Sequence, residues 1–407
     1  MAKKKYRLSN GPVMSPPLPM IPNASELPSL SEWASQQHPY QVQPGGEALF
    51  LSAFKEIVQW HYRRSPLFAS MINASDIDLD TIDREEQLWQ IPPLLASFVK
   101  RYELLSVDRK EISLHLTSSG TSGEHSQVYF DQWSIGVAQT MVDKIFSYNK
   151  WVETDTKCNY LLYSYQPEES SKLGTAYTDN FLCKYAPINS VHYALRLKGG
   201  GGHHFDLFGV IDRLQQFSQQ GLPVRIFGFP SFLFFTLQQM EQQGIPPLKL
   251  HPDSLVFLGG GWKGYAEQQV SKGELYSLAH RMLGIPAERL RDGFGSVEHC
   301  IPYIECRHHN FHQPVWSRVV IRDVKSWKPL GFGKVGQLNF ISPYITSMPL
   351  ISVLMGDLAV LYPGSSCPCE IDSPYFIIKG RASVKSGRSC AVAAAELLTS
   401  FAAKSGV

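Results

Sequence analysis

Between Ala48 and Arg64 the apolar residues Phe50, Leu51, Phe54, Ile57 and Val58 fall at helical spacing, which predicts an amphipathic helix packed on a larger body. Ile135, Ala138, Met141, Val142, Ile145 and Phe146 repeat in the same way and predict a second helix. Short apolar runs at Tyr160–Tyr163, Val224–Phe227 and Leu255–Leu258, with a helical pattern over Ser231–Gln242, read as strands and helices in alternation. That alternation predicts an α/β core with much parallel pairing. From Ser317 to Leu361 the period shortens and helical spacing vanishes, so a β-rich subdomain is expected over residues 300–370. Residues 1–45, rich in Pro and Ser, predict an irregular N-terminal arm. Residues 46–381 are expected to form the main domain, and residues 382–407 a short C-terminal helical segment.

Composition narrows the class. A chain of 407 residues with 12% aromatic and 18% charged residues has the makings of a well-buried enzyme-like globule. A net charge of +2 offers no bulk attraction to nucleic acid or to an anionic membrane, so any charged partner must be recognised locally, and nucleic acid is not an expected one. No stretch reaches the ~20 apolar residues a membrane span needs. The start, Met1-Ala-Lys-Lys-Lys, continues into polar and Pro-rich residues rather than the apolar run of a signal peptide. Seven cysteines, an odd number, then suggest reduced thiols and a cytoplasmic location.

Candidate chemistry begins at the stretch from Ile112 to Asp131. An apolar strand enters a turn made of Thr117, Ser118, Ser119, Gly120, Thr121, Ser122 and Gly123, and a second β-rich run leaves it. Small residues let backbone N–H groups close on an anion, and the hydroxyls donate to phosphate oxygens, so a nucleotide-phosphate loop is one reading. A hairpin turn rich in Ser and Gly is the other. No Lys follows the second glycine, so this is not a Walker A loop. Leu255-Val-Phe-Leu-Gly-Gly-Gly-Trp is a buried strand ending in glycines, the place where open α/β sheets bind ligands. The Gly199–Gly202 run reads as a flexible loop or a second phosphate cradle.

Leu116-Thr-Ser-Ser-Gly-Thr-Ser-Gly, Leu258-Gly-Gly-Gly-Trp, Asp292-Gly-Phe-Gly-Ser-Val-Glu298, Gly356-Asp357-Leu and Gly380-Arg381 follow the order found in adenylate-forming enzymes. Within that superfamily the chain resembles the acyl-protein synthetases of the bacterial luminescence fatty-acid reductase system and, more distantly, the phenylacetate-CoA ligases. The resemblance runs from Leu116 to Leu398. It implies a large adenylation domain over 46–381 with mixed sheets, ATP and Mg²⁺ as cofactors, and a fatty acid as substrate. By resemblance, Thr117–Gly123 embrace the β- and γ-phosphates. Gly259, Gly260 and Gly261 lie beside the adenine, Phe294 and Gly295 belong to the base-stacking segment, and Ser296 bonds the α-phosphate or acyl oxygen. Glu298 is the Mg²⁺-associated acid, Asp357 holds the ribose and Arg381 stands beyond it. Taken singly, Glu298 and Asp357 also read as solvated surface acids.

Two further features depart from or extend that pattern. Only 26 residues follow Arg381, where related ligases continue into a C-terminal lobe with a catalytic lysine; here the segment around Cys390 resembles an acyl-accepting cysteine segment. Ala391–Ala403 is helix-forming, so the Cys390 thiol lies by a helix N-terminus with Arg388 and Lys385 near in sequence, which favours a thiolate. The other reading of Cys390 is a small residue packed under a helix. Cys306, His308, His309 and His312, with Cys367-Pro-Cys369, bring soft ligands from two places, enough for a structural Zn²⁺ site or for two unrelated pairs. The resemblance favours Cys306, His312, Cys367 and Cys369 as ligands, with His309 the alternative to His312.

The expected activity is therefore formation of acyl-AMP, transfer of the acyl group to Cys390, and delivery to a reductase-like partner protein. The alternatives are delivery to coenzyme A or a carrier protein, and a non-catalytic nucleotide-binding scaffold. Tyr163, Tyr165, Tyr177, Phe181, Phe227 and Phe229 flank the expected sheet edge and are candidate walls of an acyl pocket or ordinary core.

Overall fold

The computed structural model describes residues 17–75, 77–118, 125–167, 181–199, 201–262 and 264–381. Among these the chain forms two compact units, the first made of residues 146–295 and 304–309, the second of 17–145, 296–303 and 310–381.

The second unit opens with helices α1 (Pro28–Ala34), α2 (Gly46–Arg64) and α3 (Pro66–Ala74), then strands β1 (Leu94–Leu95), β2 (Ile112–Thr117) and β3 (Gln127–Asp131), and helix α4 (Gln132–Tyr148). Helix α2 buries Phe50, Phe54, Ile57 and Val58, the stripe expected from their spacing. It carries Glu47 in its first turn and Arg63 and Arg64 in its last, each placed to favour the helix dipole. The expected irregular arm needs correction at one point. Pro28 starts the seven-residue helix α1, whose Leu30 and Trp33 are fully buried, with Trp33 edge-on to Phe50. A two-turn helix with a Pro at its first position has too few residues to show a period, and its two apolar anchors alone hold it.

The first unit alternates β4 (Cys158–Tyr165), β5 (Ile188–Leu197), β6 (His203–Phe205), α5 (Leu207–Gln220), β7 (Val224–Gly228), α6 (Pro230–Gln242), β8 (Leu255–Gly259), α7 (Lys272–Leu283) and β9 (Leu290–Phe294). With β10 (Tyr303–Ile304) at the edge, the strand order is β10-β9-β8-β7-β4-β5-β6. Pairs β4·β5, β4·β7, β7·β8 and β8·β9 are parallel, and β6 runs antiparallel to β5. Leu161, Val224, Ile226, Val256, Leu258 and Leu290 of the strands form one core with Leu214, Leu233, Leu237, Leu275 and Ala279 of the helices. Helix limits follow local chemistry: Asp206 and Ser271 cap α5 and α7 through side-chain oxygens, and Gly221 and Gly284 end them in the left-handed conformation. Gly228 has φ 115° and a Cβ there would lie 2.3 Å from the Tyr163 carbonyl oxygen, so only glycine lets β7 turn into α6.

The rest of the second unit is the expected β-rich part. Strands β11 (Phe311–His312), β12 (Arg318–Arg322), β13 (Val335–Ile341), β14 (Ser352–Tyr362) and β15 (Tyr375–Arg381) lie in the order β11-β15-β14-β13-β12, and β1 adds to β14 in parallel. No helix among the described residues is long and apolar enough to cross a membrane.

Candidate adenylation site

In the second unit β2 and β3 form an antiparallel hairpin in which Thr117 pairs with Gln127. Residues 119–124, which include Ser119, Gly120, Thr121, Ser122 and Gly123, lie outside the described residues. The base of the loop is closed by reciprocal bonds: Ser118 N–H donates to Ser126 O at 3.2 Å and Ser126 N–H to Ser118 Oγ at 2.9 Å. His125 Nδ1 adds a bond of 2.6 Å to Ser118 O. The Ser126 hydroxyl, itself fully buried, donates to Glu298 Oε1 at 2.5 Å. The base of the hydroxyl-rich loop and the candidate metal-binding acid are thus tied together across 172 residues of sequence. Ser296, two residues before Glu298, places its Oγ 3.8 Å from Met355 Sδ.

Met355 leads to Asp357. The register of β13 with β14 passes from Asn339↔Leu354 to Gln337↔Leu358, so Met355, Gly356 and Asp357 stand opposite Leu338 alone. Such a bulge bends the strand and re-aims its side chains. On the other side Asp357 pairs in register with Arg381, and Arg381 Nε lies 3.6 Å from Asp357 Oδ1. Burial pushes the Asp357 carboxyl up, and the Arg381 charge works against it. Because the Arg381 side chain is 82% exposed, the ion pair itself adds little stability. A ligand hydroxyl is the kind of partner that would satisfy a carboxylate held this way.

The first unit brings together the other candidates. Gly259, the last residue of β8, is the register partner of Gly293, so Gly259–Gly261 and Phe294–Gly295 leave the sheet side by side at the C-terminal ends of neighbouring parallel strands. Gly260 and Gly261 have φ of 75° and 71°, a backbone conformation that keeps side chains out of this rim. Tyr163, Phe227 and Phe229 are fully buried core residues rather than pocket walls. Tyr165 is half-buried, with its ring 5.6 Å from that of Phe229 and 5.0 Å from that of His203.

Of the soft ligands, His312, Cys367 and Cys369 belong to the second unit, and their ligand atoms lie within 4.8 Å of one another. His312 Nε2 is 3.1 Å from Cys369 Sγ, while its Nδ1–H donates to Ser373 O at 2.7 Å, which orients the ring and puts the lone pair on Nε2, beside the thiol. Cys306 is buried in the first unit and accepts the His308 N–H at 3.3 Å. His309, the alternative ligand, instead sits 3.4 Å from Glu305 Oε2 through its Nδ1. Cys390 lies outside the described residues. Sequence reasoning missed Ser126 and Met355. A serine two residues past the loop and a methionine in a strand carry no local signal of what they touch.

This arrangement of a glycine-edged parallel sheet, a β-rich unit and an acid-anchored hairpin is the adenylate-forming ligase fold. A 2-hydroxyisobutyryl-CoA ligase in an open conformation, in complex with 2-HIB-AMP and CoA, matches with a TM-score of 0.62 at 12% identity, covering 86% of this chain and 73% of that one. The same ligase in its thioesterification state matches with a TM-score of 0.61 over 90% of this chain and 73% of its own. The family described as acyl-protein synthetase, LuxE, matches residues 43–399, and the chain belongs to that family. Long-chain-fatty-acid–luciferin-component ligase of Vibrio harveyi is 25% identical over 271 residues, 66% of this chain and 68% of the relative. The ligase of the same name from Aliivibrio fischeri is 23% identical over 323 residues, 76% and 80% of the two chains.

Proposed function

We propose that this protein is a cytoplasmic enzyme that activates a long-chain fatty acid with ATP and passes the acyl group through Cys390 to a reductase-like partner protein. The observation that carries this reading is the Ser126–Glu298 hydrogen bond, which seats the hydroxyl-rich hairpin against the acid assigned to Mg²⁺. A fatty-acid carboxylate oxygen attacks the α-phosphorus of ATP, and the bond to the β-phosphate oxygen breaks with release of pyrophosphate. Two anions meet in that step, so in-line placement and charge neutralisation dominate the barrier. Mg²⁺ would supply the neutralisation, and Glu298, with one oxygen on Ser126, has a second to offer a hard cation. Thr117 and Ser118 stand at the start of the phosphate loop, Asp357 would accept from the ribose hydroxyls, and the Gly259–Gly261 and Phe294 edges would bracket the base. The Cys390 thiolate then attacks the acyl carbonyl carbon and AMP leaves with the bonding pair.

Two measurements test this. Fatty-acid-dependent exchange of pyrophosphate into ATP should be seen with the protein alone; its absence over a panel of acids refutes adenylation. Labelled fatty acid with ATP should leave a hydroxylamine-labile label on the wild type and none on Cys390→Ala. Undiminished labelling of the variant removes Cys390 from the pathway, and free acyl-CoA made without any partner protein would redirect the acceptor to coenzyme A.

We also assign a structural Zn²⁺ to His312, Cys367 and Cys369, with Cys306, six residues before His312, as the fourth ligand. Support comes from the donor set: soft sulfurs and an imidazole whose second nitrogen is already held by Ser373 O. Elemental analysis is expected to find about one Zn²⁺ per chain, lost in a Cys367→Ser, Cys369→Ser variant together with much of the thermal stability. Fully folded, metal-free wild-type protein would exclude the site.

A further inference from the structure

Glu305 is a fully buried carboxylate in the first unit, where an uncompensated charge would be severely destabilising. It is compensated by four groups. Lys272 Nζ bonds its Oε1, Tyr276 Oη donates to Oε2 at 2.8 Å, the Asp292 N–H donates to Oε2 at 2.8 Å, and His309 Nδ1 lies 3.4 Å away. Lys272 also reaches Asp292 Oδ2 at 3.1 Å. Three donors, Lys272 Nζ, the Tyr276 hydroxyl and the Asp292 N–H, thus converge on the two oxygens of one buried carboxylate. Glu305 is the ion-pair partner of Lys272.

The geometry around Asp292 gives this cluster its direction. The Glu305 backbone N–H donates to Asp292 O at 3.1 Å, so one residue grips both polar groups of Asp292, N–H through its carboxylate and C=O through its amide. That grip adds to the pairing of β9 with β8, where Asp292 is in register with Leu258, near the C-terminal end of β9 and two residues before Phe294. Lys272 is the first residue of α7 and Tyr276 lies one turn on, so both anchors come from one rigid, Ser271-capped helix face. Gly293 is fitted as tightly: a Cβ there would lie 2.6 Å from Phe257 Cζ.

We propose that Lys272, Tyr276 and Glu305 are positioning residues that fix the end of β9, and with it Phe294, so that they set the affinity for the nucleotide and not for the fatty acid. The inference rests on the adenylation reading above. A cluster serving only general stability would lower the melting temperature without separating the two substrates.

The test uses full-length protein, direct binding of ATP by calorimetry, and the KM for ATP and for fatty acid in the exchange assay. Tyr276→Phe keeps the ring and removes one bond to a buried carboxylate. It is expected to raise the Kd and KM for ATP by about tenfold, with the fatty-acid KM changed less than about twofold. Lys272→Arg, which keeps the charge, should stay closer to wild type than Lys272→Met. If Lys272→Met fails to fold, Tyr276→Phe alone decides. A lower melting temperature with both KM values unchanged, or a parallel rise in both, overturns the proposal. Wild-type protein that neither binds ATP nor supports exchange overturns the adenylation reading itself, a result distinct from any variant's.

Discussion

Glu298→Gln is expected to lower fatty-acid-dependent ATP–pyrophosphate exchange by about 10²–10³-fold, the scale seen when one preorganised electrostatic contact to a transition state is lost. The substitution is chosen because it keeps the shape and an oxygen for the Ser126 hydroxyl, so the buried contact at 2.5 Å survives while the negative charge goes. Glu298 is 6% exposed, and alanine there would confound lost chemistry with a cavity and an orphaned hydroxyl. Ser126→Ala removes the tether and leaves the acid, and a loss of about tenfold or less is expected, since one neutral donor is withdrawn. Exchange at the wild-type level in Glu298→Gln would make Glu298 a structural acid and move the cation elsewhere. Raising Mg²⁺ should partly restore a variant with weakened cation binding, which separates that effect from misfolding.

Acid should destabilise the second unit steeply. His61 is fully buried, and burial lowers it to about 3, with the Ile345 carbonyl bond acting against the shift and Arg64 adding to it. Its Nε2–H donates to Ile345 O at 2.9 Å and its Nδ1 meets Ser106 Oγ at 2.7 Å, contacts that suit the neutral ring. His299, also buried, stacks on Phe340 at 4.6 Å, and burial lowers it likewise to about 3. In the unfolded chain both take up protons near the ordinary histidine value of about 6.5. Their folded values are depressed, so the stability they allow is complete above that pH and falls as pH drops from it towards about 3. Each contributes a slope of about 1.4 kcal/mol per pH unit. Together they would remove roughly 5 kcal/mol between pH 6.5 and 4.5, a large share of the stability of a typical domain. Urea midpoints measured from pH 7.5 to 5 should show this slope. His299→Phe should reduce it, because the ring stack is retained and the Tyr303 hydroxyl keeps its bond to Ser317 at 2.8 Å. An unchanged slope in that variant would mean other groups govern the acid transition.

Much of the fold was legible because its elements are long enough to show their period. The stripe from Phe50 to Val58 marked α2, and Ile135–Phe146 marked α4. The apolar runs at Tyr160, Val224 and Leu255 marked β4, β7 and β8, each within a few residues of its limits. Helix α1 escaped because seven residues with two buried anchors show no repeat. The glycine motifs could be placed at strand ends from composition, and β8 does end at Gly259. What they would bind came from the resemblance and not from their spacing.

By itself the sequence determined the alternation of strands and helices, the β-rich stretch after Ser317 and the identity of the acids, hydroxyls and thiols available for chemistry. These are local properties: hydrophobic period, cap residues and glycine depend on neighbours a few positions away. Tertiary structure alone decided that Ser126 meets Glu298, that Asp357 rides on a bulge opposite Leu338, and that Glu305 grips both sides of Asp292. Each of these depends on two segments far apart in sequence reaching hydrogen-bond distance in a low-dielectric interior. There a buried polar group must find a partner, and the chain's path, not the residue's neighbours, decides which one.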